Sequence, residues 1–183
     1  MNDLFASLRV CLATMLVCVV GYTAVVLGFA AVCAPDTASG SLLRAKDGTV
    51  VGSRLLAQAF TRPEYFWPRP SACDWNGAAA GGSNLSPCNP ALADRAQQAI
   101  ARFGASAANP LPADLATASG SGLDPHISAA AARFQVARVA AARNLPAAEV
   151  QAVVDRLAVA PGPFPTGERL VNVLELNLAL ERR

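Results

Sequence analysis

One histidine, His126, serves the whole 183-residue chain, and that scarcity closes several chemical routes at once. A zinc site built on imidazoles has no second member, and neither a CxxC pair nor a Cys/His cluster stands in for one. Charge is scarce too: only 15% of residues are charged, with Lys+Arg at 15 and Asp+Glu at 13. A net charge of +2 supplies no basic patch to meet a phosphate backbone, which argues against a nucleic-acid partner. Catalytic signatures are missing as well. Gly120-Ser121-Gly122 is not G-x-S-x-G, no G-x-x-x-x-G-K-[ST] loop occurs, and a Ser-His-Asp arrangement would have one base and no evident orienter. No catalytic residue and no metal site are expected.

What the chain has in excess is apolar residues, 53% of the total, and they are concentrated. From Val10 to Pro35 the run VCLATMLVCVVGYTAVVLGFAAVCAP carries no charge over 26 residues, whereas about 20 suffice for a helix to cross a hydrocarbon core. The sequence predicts a transmembrane helix over 10–35 after a short arm, 1–9. A cleaved signal peptide is the rival reading, but its apolar run would be about 7–15 residues long and Pro35 spoils the Cys33-Ala34-Pro35 site. Lys/Arg counts on the two sides barely differ, and the short N-terminal arm favours a cytoplasmic amine with the rest of the chain outside.

Residues 36–183 are enough for one domain. After a polar linker, 36–44, Asp47-Gly48 signals a hairpin near 42–53. Between Thr61 and Pro90 five prolines, together with Gly, Asn and Ser, exclude long regular elements, while Tyr65, Phe66, Trp67 and Trp75 argue for a loop pinned by its side chains. Three amphipathic helices follow: one capped by Asn89-Pro90 and closed by Gly104, one capped by Ser128, and one starting at Pro146 and ending before Pro161-Gly162-Pro163. The terminal run LVNVLELNLAL fits either a strand or a short helix capped by Asn172. The expected class is α+β, with one transmembrane helix, about three amphipathic helices and a small sheet or hairpin.

Two segments invite a functional reading. Thr117–Ser128, TASGSGLDPHIS, brings Ser119, Ser121, Asp124 and the lone His126 together, and Gly81-Gly82-Ser83-Asn84 is a second glycine–serine turn. Either could form an anion-holding nest of backbone N–H groups, or simply a turn. Asp124 stands two residues from His126, Asp124-Pro125 starts a turn or a helix, and Arg69 could stack on neighbouring aromatics or reach a partner carboxylate. A membrane-tethered hydrolase using Ser119 or Ser121 with His126 is the alternative function, and a nucleotide-binding module is a third. Cys73 and Cys88, fifteen residues apart, could form a disulfide outside the cytoplasm.

The blocks VGSRLLAQAF (51–60), PEYFWPRPSA (63–72), GGSNLSPCNP (81–90), LPADLATASGSGLDPHISAAAARFQVARVAAAR (111–143) and VNVLELNLAL (171–180) resemble, in order and spacing, the KdpC subunits of bacterial potassium-transporting P-type ATPases. The likeness spans nearly the full chain. It departs from the usual pattern at Ser86 and Cys88, where GGSNLGPSNP is commoner, at Pro68, where Gly is common before the Arg, and at Ala57, which replaces a Gly. The resemblance implies a non-catalytic accessory subunit in the bacterial inner membrane, partnered by the potassium-conducting KdpA, the ATPase subunit KdpB and the small KdpF. It also implies a catalytic chaperone that raises the ATP affinity of KdpB through a transient ternary complex, with no tightly bound cofactor of its own. Under it, Gln58, Arg69, Gly82, Ser83, Asn84, Ser119, Ser121, Asp124 and His126 become candidates for loop, partner or nucleotide contact.

Overall fold

A run of apolar residues with no polar face cannot be an ordinary surface helix of a soluble domain. In the computed structural model, which describes residues 2–162 and 167–181, that run is one helix from Asn2 to Cys33, long and apolar enough to cross a membrane. It comprises α1 (Asn2–Met15), a π-helical stretch (Leu16–Gly21) and α2 (Tyr22–Cys33). Over the stretch the bonding widens by one residue, with the Tyr22 N–H donating to the Val17 carbonyl. The helix begins eight residues before Val10, so most of the expected arm is helical. Met1, Pro163 and residues 182–183 of the expected segments lie outside the described residues.

The chain divides into two compact units, 1–42 and 43–183. In the first, the helix is followed by a single helical turn, α3 (Pro35–Ala38), where a linker was expected. The second opens with the expected hairpin: β1 (Leu42–Arg44) pairs with β2 (Val50–Ser53), and the Asp47 carboxylate accepts from the Thr49 N–H and hydroxyl to close the turn. No helix or strand then occurs until α4 (Pro90–Phe103). Asn89 caps α4 through the Ala91 N–H and Gly104 ends it, as the sequence predicted. A short α5 (Ala113–Ala116) follows.

Two strand-to-helix units build the core; the sequence pattern concealed the strand at 126–128 and left the one at 170–172 as one of two readings. β3 (His126–Ser128) runs directly into α6 (Ala129–Arg143), and β4 (Leu170–Asn172) directly into α8 (Val173–Glu181). The junction residue caps each helix: the Ser128 hydroxyl accepts from the Ala131 N–H and the Asn172 carbonyl oxygen from the Glu175 N–H. The terminal run is thus strand and helix in succession, which is why it fitted both. β3 and β4 pair antiparallel, with Ile127 opposite Val171, both fully buried. Three residues per strand are too few for alternation to show in sequence.

Between these units α7 (Ala147–Leu157) packs on α6 and α8. Its stripe of Val150, Val153 and Val154 is wholly buried against the small Ala131, Ala132 and Ala140 and against Leu176. Each such valine contributes about 1.5 kcal/mol or more.

The buried faces also carry two amides. Gln135 on α6 and Asn177 on α8 are buried almost completely. Gln135 accepts from the Trp67 N–H at 2.9 Å and donates to the Trp67 carbonyl at 3.1 Å. Asn177 does the same to Phe66, at 2.8 and 3.1 Å. Replacing Asn177 by Leu strands both backbone groups of Phe66, at a cost of about 1–3 kcal/mol for each buried group left unpaired. Urea unfolding of the full chain in detergent, followed by tryptophan emission, is expected to show a loss of about 2 kcal/mol or more. Unchanged stability would remove the amide from the account of the fold.

Candidate functional site

The segment TASGSGLDPHIS forms a loop whose polar groups are mostly taken up by two other loops. The Ser119 N–H donates to the Pro70 carbonyl at 3.1 Å, and the Gly81 N–H to the Ser121 carbonyl at 2.8 Å. Ser71 ties the three segments together: its hydroxyl donates to the Gly122 carbonyl at 2.7 Å and accepts from the Cys73 and Trp75 N–H groups. Close approach explains the glycines. A Cβ on Gly82 would stand 2.7 Å from the Gly120 carbonyl oxygen. At Gly122, φ is +70° and a Cβ would meet the Cys73 Sγ at 2.4 Å and the Gly81 oxygen at 2.7 Å. The two glycine–serine turns therefore pack on each other.

This packing decides the fate of the candidate hydroxyls. Ser119 is buried and its Oγ accepts from the Asp124 N–H at 3.5 Å, while the Ser121 Oγ accepts from the Leu123 N–H at 3.1 Å. Both are turn-forming groups, and the single imidazole points elsewhere. His126 lies at the start of β3, its Nδ1 3.3 Å from Asp124 Oδ1, and its backbone N–H donates to the same oxygen at 3.0 Å. The other Asp124 oxygen receives Arg69 Nη1 at 3.2 Å. Arg69 thus reaches a carboxylate of its own chain, and among the described residues no aromatic ring stacks on it. The side chain of His126, then its backbone N–H and the Arg69 charge, hold Asp124 below the usual carboxylate range against the opposing effect of burial.

Gln58 stands apart from this knot. Its amide donates to the Val51 carbonyl at 2.8 Å and fills the notch left by Gly52, fastening the hairpin. Ser83 is half-buried, and Asn84 is exposed in the left-handed region at φ +49°. Cys73 and Cys88 are free thiols. The Cys73 Sγ lies against Ser71 and the Ser121 carbonyl, while Cys88 is exposed. Among the described residues no cluster of three or more His, Cys, Asp or Glu could hold a metal.

On its other side the 68–71 segment walls a groove that sequence reading missed. The groove, of about 240 Å³, runs between the aromatic loop and α4, with Trp67, Pro70 and Trp75 on one side and Arg95, Gln98 and Arg102 on the other. Trp67 packs on Phe103 with centroids 5.2 Å apart. The guanidiniums of Arg102 and Arg138 lie 4.2 and 3.9 Å from the Trp67 ring centre. Arg138 also donates to the Pro63 and Tyr65 carbonyls, and Arg143 to that of Glu64. The only available signal was the recurrence of arginine around the tryptophan-rich loop, which reads equally as a solvated helix face.

Comparison with known proteins agrees with the architecture. A family model described as "KdpC: K+-transporting ATPase, c chain" matches residues 4–182. A protein of Parvibaculum lavamentivorans named "Potassium-transporting ATPase KdpC subunit" is 59% identical over 182 residues, covering 100% of this chain and 97% of its own. Proteins of the same name from Cereibacter sphaeroides and Paraburkholderia phytofirmans are 46% and 47% identical, each over 99% of this chain and 97% of theirs.

The knot makes two separate demands. Gly122→Ala is expected to cost about 2 kcal/mol or more, from positive φ and overpacking together, whereas Gly120→Ala, whose Cβ would meet nothing within 4 Å, changes stability by less than about 0.5 kcal/mol. Equal melting temperatures for the two variants would sink this reading. For Asp124, a lowered native pKa means its contribution is complete above the ordinary carboxylate value and is lost as pH falls through the lowered one. Melting curves between pH 7 and pH 3 should therefore converge for wild type and Asp124→Asn at the acid end and separate, in favour of wild type, at neutral pH.

Proposed function

Because the chain belongs to the KdpC family of K+-transporting ATPase subunits, we propose that it is the membrane-anchored, non-catalytic accessory subunit of a potassium-uptake complex. The helix Asn2–Cys33 spans the inner membrane with the amine in the cytoplasm, and the domain lies in the periplasm. Its partners are the potassium-conducting KdpA, the ATPase subunit KdpB and the small KdpF. Its work is to stabilise the assembled complex. The raised ATP affinity expected of KdpB then follows from a transient ternary complex or from assembly itself.

One observation carries this reading: the family's most specific segment, TASGSGLDPHIS, spends its polar groups on positioning neighbouring loops. Hydroxyls that accept turn N–H groups and a histidine turned to a structural carboxylate suit a rigid docking element. A single helix cannot by itself enclose an ion path, since ions and open backbone groups in lipid need a surrounding bundle. The hydrolase alternative lacks a Ser–His contact among the described residues.

A reporter active only outside the cytoplasm, fused to the C-terminus, should be active in cells making the whole complex. Deleting the chain should lower recovery of KdpA with KdpB from membranes several-fold. An inactive reporter would reverse the topology, and undiminished recovery would overturn the assembly role. ATP binding by the purified full chain alone would favour direct nucleotide contact instead.

A further inference from the structure

Most ion pairs of the second unit are closed within the chain: Arg54 with Glu175, Arg62 with Glu64, Arg69 with Asp124 and Arg133 with Asp155. The groove beside α4 differs. Arg95 and Arg102 are seven residues, two helical turns, apart and line it together. Arg138 shares the Trp67 ring with Arg102. Among the described residues none of these three arginines meets a carboxylate within ion-pair distance. The mutual repulsion is felt inside the fold, because burial and then the Arg102 charge pull Arg138 down to about 10. It remains protonated at neutral pH. Cations gathered over one indole lose hydration and repel each other, and a ring quadrupole offsets only part of that.

The remaining walls indicate what the groove can accept. Half-buried Trp75 and Pro70 offer flat apolar surface over the buried Trp67 and Pro68, and Gln98 a donor and an acceptor of the kind that meets a peptide backbone. No glycine lines the groove, and it lies along α4 from Arg95 to Phe103, well past the start of that helix at Pro90. It therefore lacks the N–H nest or helix N-terminus that wraps phosphate oxygens. We propose that this groove docks an acidic polypeptide segment of another subunit of the complex, with a carboxylate seated between Arg95 and Arg102 and apolar neighbours on Trp75 and Pro70. The inference rests on the accessory-subunit reading above and names the surface through which it acts.

The test uses the full chain co-expressed with the other subunits. Arg95→Glu/Arg102→Glu should lower co-purification roughly tenfold, as reversal of charges facing a partner carboxylate does. Lys46→Glu/Arg156→Glu, with the same change in net charge at exposed positions away from the groove, should leave it unchanged. Arg95→Glu alone keeps the folding question separate: Arg95 makes no ion pair among the described residues, so its melting temperature should match wild type while co-purification still falls several-fold. Restoration by an Asp→Lys or Glu→Lys change in a partner's extracytoplasmic segment would identify the occupant. If wild type co-purifies and the groove variants do so equally, the groove is not the docking surface although the subunit reading stands. Failure of wild type to co-purify overturns both. The chain's two tryptophans, Trp67 and Trp75, both line the groove, so quenching of the isolated full chain's emission by inorganic phosphate or ATP would overturn the polypeptide occupant in favour of a small anion.

Discussion

Two buried amides hold the aromatic loop to the helices, and the rest of the second unit is arranged around that attachment. Phe66 is completely buried and Trp67 nearly so, yet they sit in a stretch with no strand or helix to pair their backbones. A buried N–H or C=O without a partner costs as much as a lost hydrogen bond. Gln135 and Asn177 each supply one donor and one acceptor to one residue, doing for two positions what a neighbouring strand would do. Both amides are themselves satisfied by the same bonds, which is what makes their burial tolerable.

That attachment depends on the helices that carry the amides, and those helices depend on their starting points. α6 leaves β3 at Ser128 and α8 leaves β4 at Asn172, with β3 and β4 paired, so the positions of Gln135 and Asn177 are set by one small sheet. Asp114 on α5 reinforces the first junction by accepting from the Ser128 N–H and hydroxyl. Arg138 and Arg143, further along α6, take the carbonyls of residues 63–65. The loop's aromatic side chains then have one place to go, and the groove beside α4 is the surface that results. The segment TASGSGLDPHIS bounds it indirectly, through Pro70 and Ser71. Its serines, glycines and Asp124 determine a wall rather than perform a reaction.

Much of this was legible in the residues, and the limits have particular causes. Asn89, Gly104, Ser128 and Asn172 act locally, within about four residues, so capping logic located the starts at Asn89 and Ser128 and the stop at Gly104, and offered Asn172 as one of two readings. The stripes of α4 and α7 follow the same local logic. By contrast, Gln135 and Asn177 occupy positions on apolar stripes where an amide reads as a defect. Their partners lie 68 and 111 residues away, beyond any periodicity. Arg69 posed the same difficulty: its alternatives could be written from sequence, but its choice of Asp124, 55 residues on, could not.

The sequence by itself determined the long apolar helix, the hairpin turn, the main helices of the second unit with their caps, the irregularity of residues 61–90 and, through long specific blocks, the family. These are consequences of apolar run length, of φ/ψ preference and of side chains reaching their own backbone, all short-range. Tertiary structure alone decided which polar groups are spent and which remain free. It brought Arg69 to Asp124 and the amides of Gln135 and Asn177 to Trp67 and Phe66, and among the described residues it set Arg102 and Arg138 around Trp67 without a carboxylate. The reason is that these pairings are properties of three-dimensional neighbourhood, and their members stand 55 to 111 residues apart in the chain.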